Sequence, residues 1–273
     1  MPELPEVETI VNDLKNKIVG ARIAGFETGF IKALKNPPAG FKKAIIGRRI
    51  LSVGRRGKLI LIGLSGGKTI LVHLRMTGNL LVGDLPADSR KKASLLGRQA
   101  GFVRHRWLLS KARRFVLDFS DVRKFGTIKL ADTKLLEREP SVARLGAEPL
   151  SPDFTRQALK ALLGPKKIKS ILLEQSKIAG IGNIYASEIL HRSGIDPDKP
   201  GRDLDDRESA LLHKNIKSVL KEAIRQRGTT ISDYRDSDGR AGRFQEALKV
   251  YGREGEQCRN RGCKGEIKRK VIE

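Results

Sequence analysis

At 273 residues, 39% of them hydrophobic, the chain is long enough for two cored domains and too apolar to stay disordered. Its 55 Lys and Arg against 31 Asp and Glu leave a formal charge of +24, so a polyanion, and nucleic acid first, is the expected partner. No apolar run is long enough to span a bilayer, Glu3, Glu6 and Glu8 stand where a signal peptide is basic, and two cysteines make no disulfide framework; a cytoplasmic, nucleoid-associated protein is expected.

The chain opens Met1-Pro2-Glu3-Leu4-Pro5-Glu6. Removal of Met1 would leave Pro2 with a secondary amine at the terminus. An α-amino group has a pKa of about 7.7–8.0, against about 10.4 for lysine, so near neutrality it is partly free base and can attack an electrophilic carbon. Glu3 and Glu6 lie close enough in sequence to move protons, which completes the ingredients of covalent catalysis through an imine. The same hexapeptide also reads as a plain helix start, with prolines in the first turn and glutamates favoured by the helix dipole.

Val7, Ile10, Val11, Leu14 and Ile18 then fall at helical spacing, and Gly20 can end that helix. Residues 59–64 and 69–74 are apolar runs separated by Ser65-Gly66-Gly67-Lys68, a hairpin pattern. In 114–120, Phe115, Leu117 and Phe119 alternate with other residues as in a half-buried strand. This half reads as a β-sandwich or barrel fronted by one helix. Between its strands, 90–114 holds nine Lys/Arg, one His and no acid; its first part reads as a basic helix or loop on the polyanion-binding surface. Pro140, Gly146, Pro149 and Pro152 punctuate a linker. Beyond it, Leu159, Leu162 and Leu163 suggest one helix, Ile168, Ile171 and Leu172 another, and Leu212, Ile216, Val219, Leu220, Ala223 and Ile224 a third.

Four short motifs carry more than secondary structure. In residues 175–186, Gly180 and Gly182 bracket Ile181, and Asn183 opens a helix as a cap; exposed amides there would seat a phosphate, with Lys177 nearby, although an ordinary helix–turn–helix corner has the same pattern. His73-Leu74-Arg75-Met76-Thr77-Gly78 puts one of only two Met at a turn, as core filler or as an apolar wedge between bases. Asp121-Val122-Arg123-Lys124-Phe125-Gly126 pairs a cation with an aromatic after a strand, and Gly54-Arg55-Arg56-Gly57-Lys58 places three cations on a Gly-flanked turn.

Together these stretches resemble the bacterial formamidopyrimidine-DNA glycosylases, the 8-oxoguanine DNA glycosylase/AP lyases. The resemblance runs from the first nine residues through 55–58, 73–78, 121–126, 179–188, 229–245 and 249–258, in the family's order. The sister endonuclease VIII family usually carries glycine where this chain has Leu4, and the 229–245 loop favours the purine-lesion branch. The resemblance implies an α+β chain: a catalytic β-sandwich domain over 1–135, a linker over 136–152, a helix–two-turn–helix DNA-binding domain over 153–248 that carries a lesion-recognition loop at 229–245, and a partial zinc-finger segment over 249–273.

It also implies roles. Pro2 is the nucleophile, Glu3 the acid/base, Glu6 a supporting carboxylate, and Lys58 a contact to the lesion-side phosphate that assists base recognition. Met76, Arg123 and Phe125 fill the void left by the flipped base, while His73, Lys177, Gly182 and Asn183 belong to the DNA-binding surface. Thr229, Thr230 and Tyr234 belong to a mobile cover that reads the oxidised purine. The family's finger holds one Zn2+ on four cysteines; here Cys258 and Cys263, spaced C-x4-C, give half a site, so a truncated finger, a loose tail and reduced DNA affinity are expected. The partner implied is damaged duplex DNA bound by a monomer. The competing readings are an endonuclease VIII-like pyrimidine-lesion enzyme and a basic DNA-binding protein without chemistry.

Overall fold

A computed structural model describes residues 1–85, 101–260 and 262–271. Helix α1 (Leu4–Ile18) is followed by strands β1 (Arg22–Thr28), β2 (Ile50–Arg56), β3 (Leu59–Leu64), β4 (Lys68–His73), β5 (Gly78–Asp84), β6 (Val103–Ser110), β7 (Arg114–Asp121) and β8 (Thr127–Asp132), with a short α2 (Pro38–Ile45) between β1 and β2. They form two antiparallel four-stranded sheets, ordered β1-β6-β7-β5 and β2-β3-β4-β8. Alternate residues of both sheets, among them Phe26, Ile60, Ile62, Val72, Trp107 and Phe119, close one core against Val7, Ile10, Val11, Leu14 and Ile18 of α1. The expected hairpin is β3–β4, in register from Leu59↔His73 to Leu64↔Lys68.

β7 differs from the half-buried strand its alternation predicts. Val116, Asp118 and Ser120 on its other face are as buried as Phe115, Leu117 and Phe119. The strand is internal to its sheet, and Asp118 tolerates burial because Arg106 of β6 grips both its carboxylate oxygens at 2.7 and 2.8 Å. Of the basic 90–114 stretch, Val103–Ser110 is β6, whereas the part read as a basic helix or loop falls within 86–100, outside the described residues.

The segment read as a linker is docked along both halves. Its short helix α3 (Pro140–Ala143) buries Val142 with Leu59 and Leu71 on the outer face of the second sheet. The Gly146 and Ala147 amides donate to Gln175 and Lys177 carbonyls, and Ala179 donates back to Ala147. Proline and glycine punctuation marks turns; it does not report whether the turns are packed.

The second half comprises α4 (Arg156–Leu162), α5 (Ile168–Leu173), α6 (Asn183–Ser193) and α7 (Asp206–Arg225) around a second core of Leu159, Ile171, Leu172, Tyr185, Leu212 and Val219. α7 starts at a capping box, Asp205 and Glu208 each accepting the other's amide. Leu4 belongs to this second core although Val7, one turn later, belongs to the first. The first turn of α1 is therefore wedged between the two halves. At the other end of the chain, 255–258 is bonded to 265–267: the Cys258 amide donates to the Gly265 carbonyl, the Gly255 amide to Ile267 and the Ile267 amide to Glu256. Part of the tail expected to be loose is thus bridged, and its root is tied down: Glu188 of α6 accepts the amides of Lys249, Val250 and Tyr251. Among the described residues no helix is long and apolar enough to cross a membrane.

Candidate active site

Pro2, Glu3 and Glu6 are buried where α1 enters between the halves. Met1, ahead of them, is exposed. The Glu3 carboxylate reaches the start of α6 and accepts the amides of Gly182 (2.7 Å), Ile184 (3.0 Å) and Tyr185 (3.4 Å). A helix start leaves such amides without intrahelical partners and carries partial positive charge, so a carboxylate satisfies both. Gly182 is required for this approach, since a Cβ there would lie 2.4 Å from the Glu3 carboxyl carbon. Gly180, at φ +95°, turns the chain so that its carbonyl accepts the Leu4 amide at 2.9 Å.

This arrangement corrects the reading of the 179–186 motif. The N-cap is Gly182 and makes no side-chain cap bond; Asn183 is the first helical residue and its side chain is exposed. The amides expected to seat a phosphate hold Glu3 instead, and Asn183 remains beside them at the surface. Lys177 is also placed otherwise: half-buried, its ammonium donates to the Leu162 carbonyl at the end of α4, where it complements the helix C-terminus.

Glu6 gathers three donors: the Glu3 amide (2.7 Å), the Thr229 amide (2.7 Å) and the Tyr185 hydroxyl (2.5 Å). Lys58, only 7% exposed on the β2–β3 turn, donates to the Ile181 carbonyl at 3.0 Å. Burial raises the Glu3 pKa to about 7, with Lys58 opposing and Glu6 reinforcing that rise. Burial also raises Glu6, against its bond from Tyr185, and lowers Lys58, against the attraction of Glu3 and Glu6. A carboxylic acid that titrates near neutrality beside an amine can donate and accept a proton in one turnover. His73, at the end of β4, accepts the Arg75 amide on Nδ1 at 3.0 Å; burial, then Arg75 and Lys58, lower its pKa to about 3, so it is a neutral imidazole.

Two turns project from the sandwich close by. Met76 is 41% and Phe125 57% exposed, and the Arg123 guanidinium lies 5.7 Å from the centre of the Phe125 ring. Their tips are free but their bases are not. Buried Asp121 accepts the Thr77 hydroxyl (2.5 Å) and the Gly126 amide (2.7 Å), and Thr77 accepts the Arg123 amide (3.0 Å). One carboxylate thus fastens both turns.

The 229–245 segment is fastened as well. Thr229 is buried against Glu6 and Tyr185; the Thr230 hydroxyl donates to the Tyr234 carbonyl and accepts the Gly242 amide. Tyr234, expected on a mobile cover, is buried in the N-terminal core with its hydroxyl on the Arg227 carbonyl (3.0 Å). It anchors the segment, while Ile231 is 59% exposed near its tip. Further ties run from Arg235 to Asn79 and from Arg227 to Asp13 of α1.

Residues 1–128 match the Formamidopyrimidine-DNA glycosylase N-terminal domain, and residues 145–235 the Formamidopyrimidine-DNA glycosylase H2TH domain. A formamidopyrimidine-DNA glycosylase of Pelotomaculum thermopropionicum is 43% identical over 268 residues, covering 97% of this chain and 92% of that protein. The chain belongs to the formamidopyrimidine-DNA glycosylase family. Its fold is that of solved family members: a Lactococcus lactis Fpg mutant in complex with a Fapy-dG containing DNA superposes with a TM-score of 0.87 at 32% identity, over 99% of this chain and 95% of that one. The L. lactis Fpg complex with an abasic site containing DNA gives 0.84, also at 32% identity, over 99% and 94%.

Zinc is typical of the glycosylase family, but the residues present do not complete a zinc site. Cys258 Sγ lies 3.6 Å from His191 Nε2, while Cys263 is exposed and accepts the Gly265 amide. A structural zinc needs four protein ligands, and these thiols supply two. Among the described residues the convergent set of three candidate metal donors is Asp13, Asp236 and Asp238, where Arg227 and Lys17 already occupy the carboxylates.

Sequence reasoning missed three members of this glycosylase site. Tyr185 falls within the 175–186 stretch, and a tyrosine on a buried helix face must find a partner for its hydroxyl. Gln175 clamps the Gly180 turn, donating to the Ile181 carbonyl and accepting the Gly180 amide. Asp121 precedes a conspicuous cation and aromatic, and its own task, holding Thr77 and Gly126, joins turns far apart in sequence.

Proposed function

We propose that Pro2, freed of Met1, is the nucleophile with which this DNA glycosylase/AP lyase of base-excision repair removes oxidised purines from duplex DNA. The observation that carries this reading is the buried carboxyl of Glu3, the residue after Pro2, held by the amides of Gly182, Ile184 and Tyr185 at the start of α6 and titrating near pH 7. The free Pro2 amine attacks C1′ of the damaged nucleotide, the glycosidic bond breaks with its electron pair on the departing base, and the base takes up the proton that the amine gives up; the C1′–O4′ bond then breaks to leave an iminium joining enzyme to sugar. Glu3 gives its proton to the sugar ring oxygen as the ring opens. The iminium is an electron sink that acidifies C2′–H; Glu3, now a carboxylate, takes that proton and the 3′ phosphate leaves, after which the conjugated iminium acidifies C4′–H, a base removes that proton and the 5′ phosphate leaves. Lys58, close to both carboxylates, contributes positive charge at the lesion-side phosphate.

The base must leave the stack to be reached. Met76 and Phe125 are exposed apolar side chains suited to filling the gap, and Arg123 can hydrogen-bond the orphaned base. Asn183 and neutral His73 offer hydrogen bonds to the backbone, and Thr229, Thr230 and the backbone around Ile231 line the approach to the flipped purine. Lys177 and the cysteines have no assigned step. The reading is of a monomer acting on chromosomal DNA in the cytoplasm.

Borohydride should trap a covalent complex between the Met1-processed protein and an 8-oxoguanine duplex. Retention of Met1, which turns the Pro2 nitrogen into an amide, should cut trapping by about a thousandfold or more, and Pro2→Gly, which keeps a terminal but primary amine, should cut it less. Full-speed strand cleavage by protein that mass spectrometry shows to keep Met1 defeats the proposal. Faster excision of thymine glycol than of 8-oxoguanine would move the chain to the pyrimidine-lesion class.

A further inference from the structure

We infer that Tyr185 is a positioning residue for the amino-terminal nucleophile: its hydroxyl holds Glu6 so that one carboxylate joins the peptide of Glu3 to the first residue of the 229–245 segment. The inference rests on the Pro2 reading above.

Three donors meet on Glu6, and each comes from a different part of the chain. The Glu3 amide belongs to the peptide that follows Pro2, the Thr229 amide opens the 229–245 segment, and the Tyr185 hydroxyl comes from α6. Tyr185 touches both neighbours, since its hydroxyl also lies 3.0 Å from Thr229 Oγ1. Its ring is fully buried, with Phe244 at 5.8 Å between centroids, so the hydroxyl has no water to turn to. The segment enters with little clearance: Gly228 has φ +79°, and a Cβ there would lie 2.7 Å from Glu6 Oε1.

The carboxylate is the acceptor-only form that all three donors require; a protonated Glu6 would become a donor and lose at least one of them. The ionisable groups that face it are Glu3 from α1, Lys58 from the β2–β3 turn, Tyr185 from α6 and Tyr234 from the 229–245 segment. The phenol stays protonated, because burial and the carboxylates raise its pKa well above the ordinary tyrosine value. Tyr185 keeps Glu6 charged and in line with the Glu3 peptide, so the start of the 229–245 segment and the peptide that follows Pro2 share one buried support.

The test uses the full chain, processed at Met1, in single-turnover excision from an 8-oxoguanine duplex across pH, with borohydride trapping of the wild type as the control on the Pro2 reading. Tyr185→Phe keeps the ring. It should slow excision about tenfold at neutral pH, the size of one hydrogen bond to a charged group. It should also move the acid limb of the profile up by about one pH unit, because Glu6 loses a donor that favours its charged form. Affinity for an uncleavable tetrahydrofuran duplex should stay within about twofold, separating positioning from binding. Replacing Tyr185 with 3-fluorotyrosine retains the hydroxyl, makes it the stronger donor and should move the acid limb the other way. That variant decides the matter if Tyr185→Phe does not fold. A profile that superimposes on the wild type in whichever variant folds overturns the inference; a wild type that cannot be trapped overturns the Pro2 reading instead.

Discussion

The amino terminus and the two projecting turns are built on opposite plans. Around Glu3 and Glu6 the reacting groups themselves are buried and each carboxylate accepts three hydrogen bonds. At 76–78 and 121–126 the support is buried, in Asp121 and Thr77, and the working side chains stand in solvent. Chemistry on a sugar carbon needs a shifted pKa and a fixed distance, which burial supplies. Filling a gap in a base stack needs apolar area that is free until DNA arrives, held on a base that does not yield.

Small changes should therefore have unequal effects in the two places. The largest is expected from Gly182→Ala. The new methyl would displace the Glu3 carboxyl, a movable group whose displacement leaves the fold intact, so excision should fall about a hundredfold while duplex affinity barely changes. An equal loss in affinity would show that the α6 start serves mainly to bind DNA.

Stability should record the same burial. Glu3 has a folded pKa of about 7 against an ordinary 4.5, so the folded state binds more protons between those values. Its contribution is fully present below about pH 4.5 and is lost as pH rises through about 7. Denaturant melts of the wild type minus those of Glu3→Gln should decline over that window by up to about 3 kcal/mol. A difference that does not change with pH would mean that Glu3 is not desolvated in solution. The smallest effect on the fold is expected at the turns: Phe125→Ala should leave Tm unchanged, with a loss of about threefold to tenfold in excision at a mispaired or flipped site. A fall in Tm of several degrees would place Phe125 in the core.

Much of the first half is legible because its signals are local. The helical spacing of Val7 to Ile18 and the glycines between 59–64 and 69–74 describe contacts a few residues apart. The site is less so, since its decisive contacts join residues far apart in the chain: Glu3 to Gly182, Glu6 to Thr229. A helix start with two glycines reads as a seat for an outside anion, and nothing near Asn183 shows that the anion is the chain's own Glu3. Lys177 has the charge of a phosphate contact, but the end of α4 claims it. Tyr234 lies in a Gly-rich, polar stretch that looks like a cover, and its ring belongs to a core assembled from strands much earlier in the chain.

The wedge formed by the first turn of α1 has a mechanical corollary. Leu4 is gripped by the helical half and Val7 by the sandwich, so the short rod between them spans the seam. A displacement of one half against the other would load that rod, because its two ends are packed in different cores. The proposed nucleophile, Pro2, therefore stands at the seam, directly ahead of the one helical turn that both halves hold.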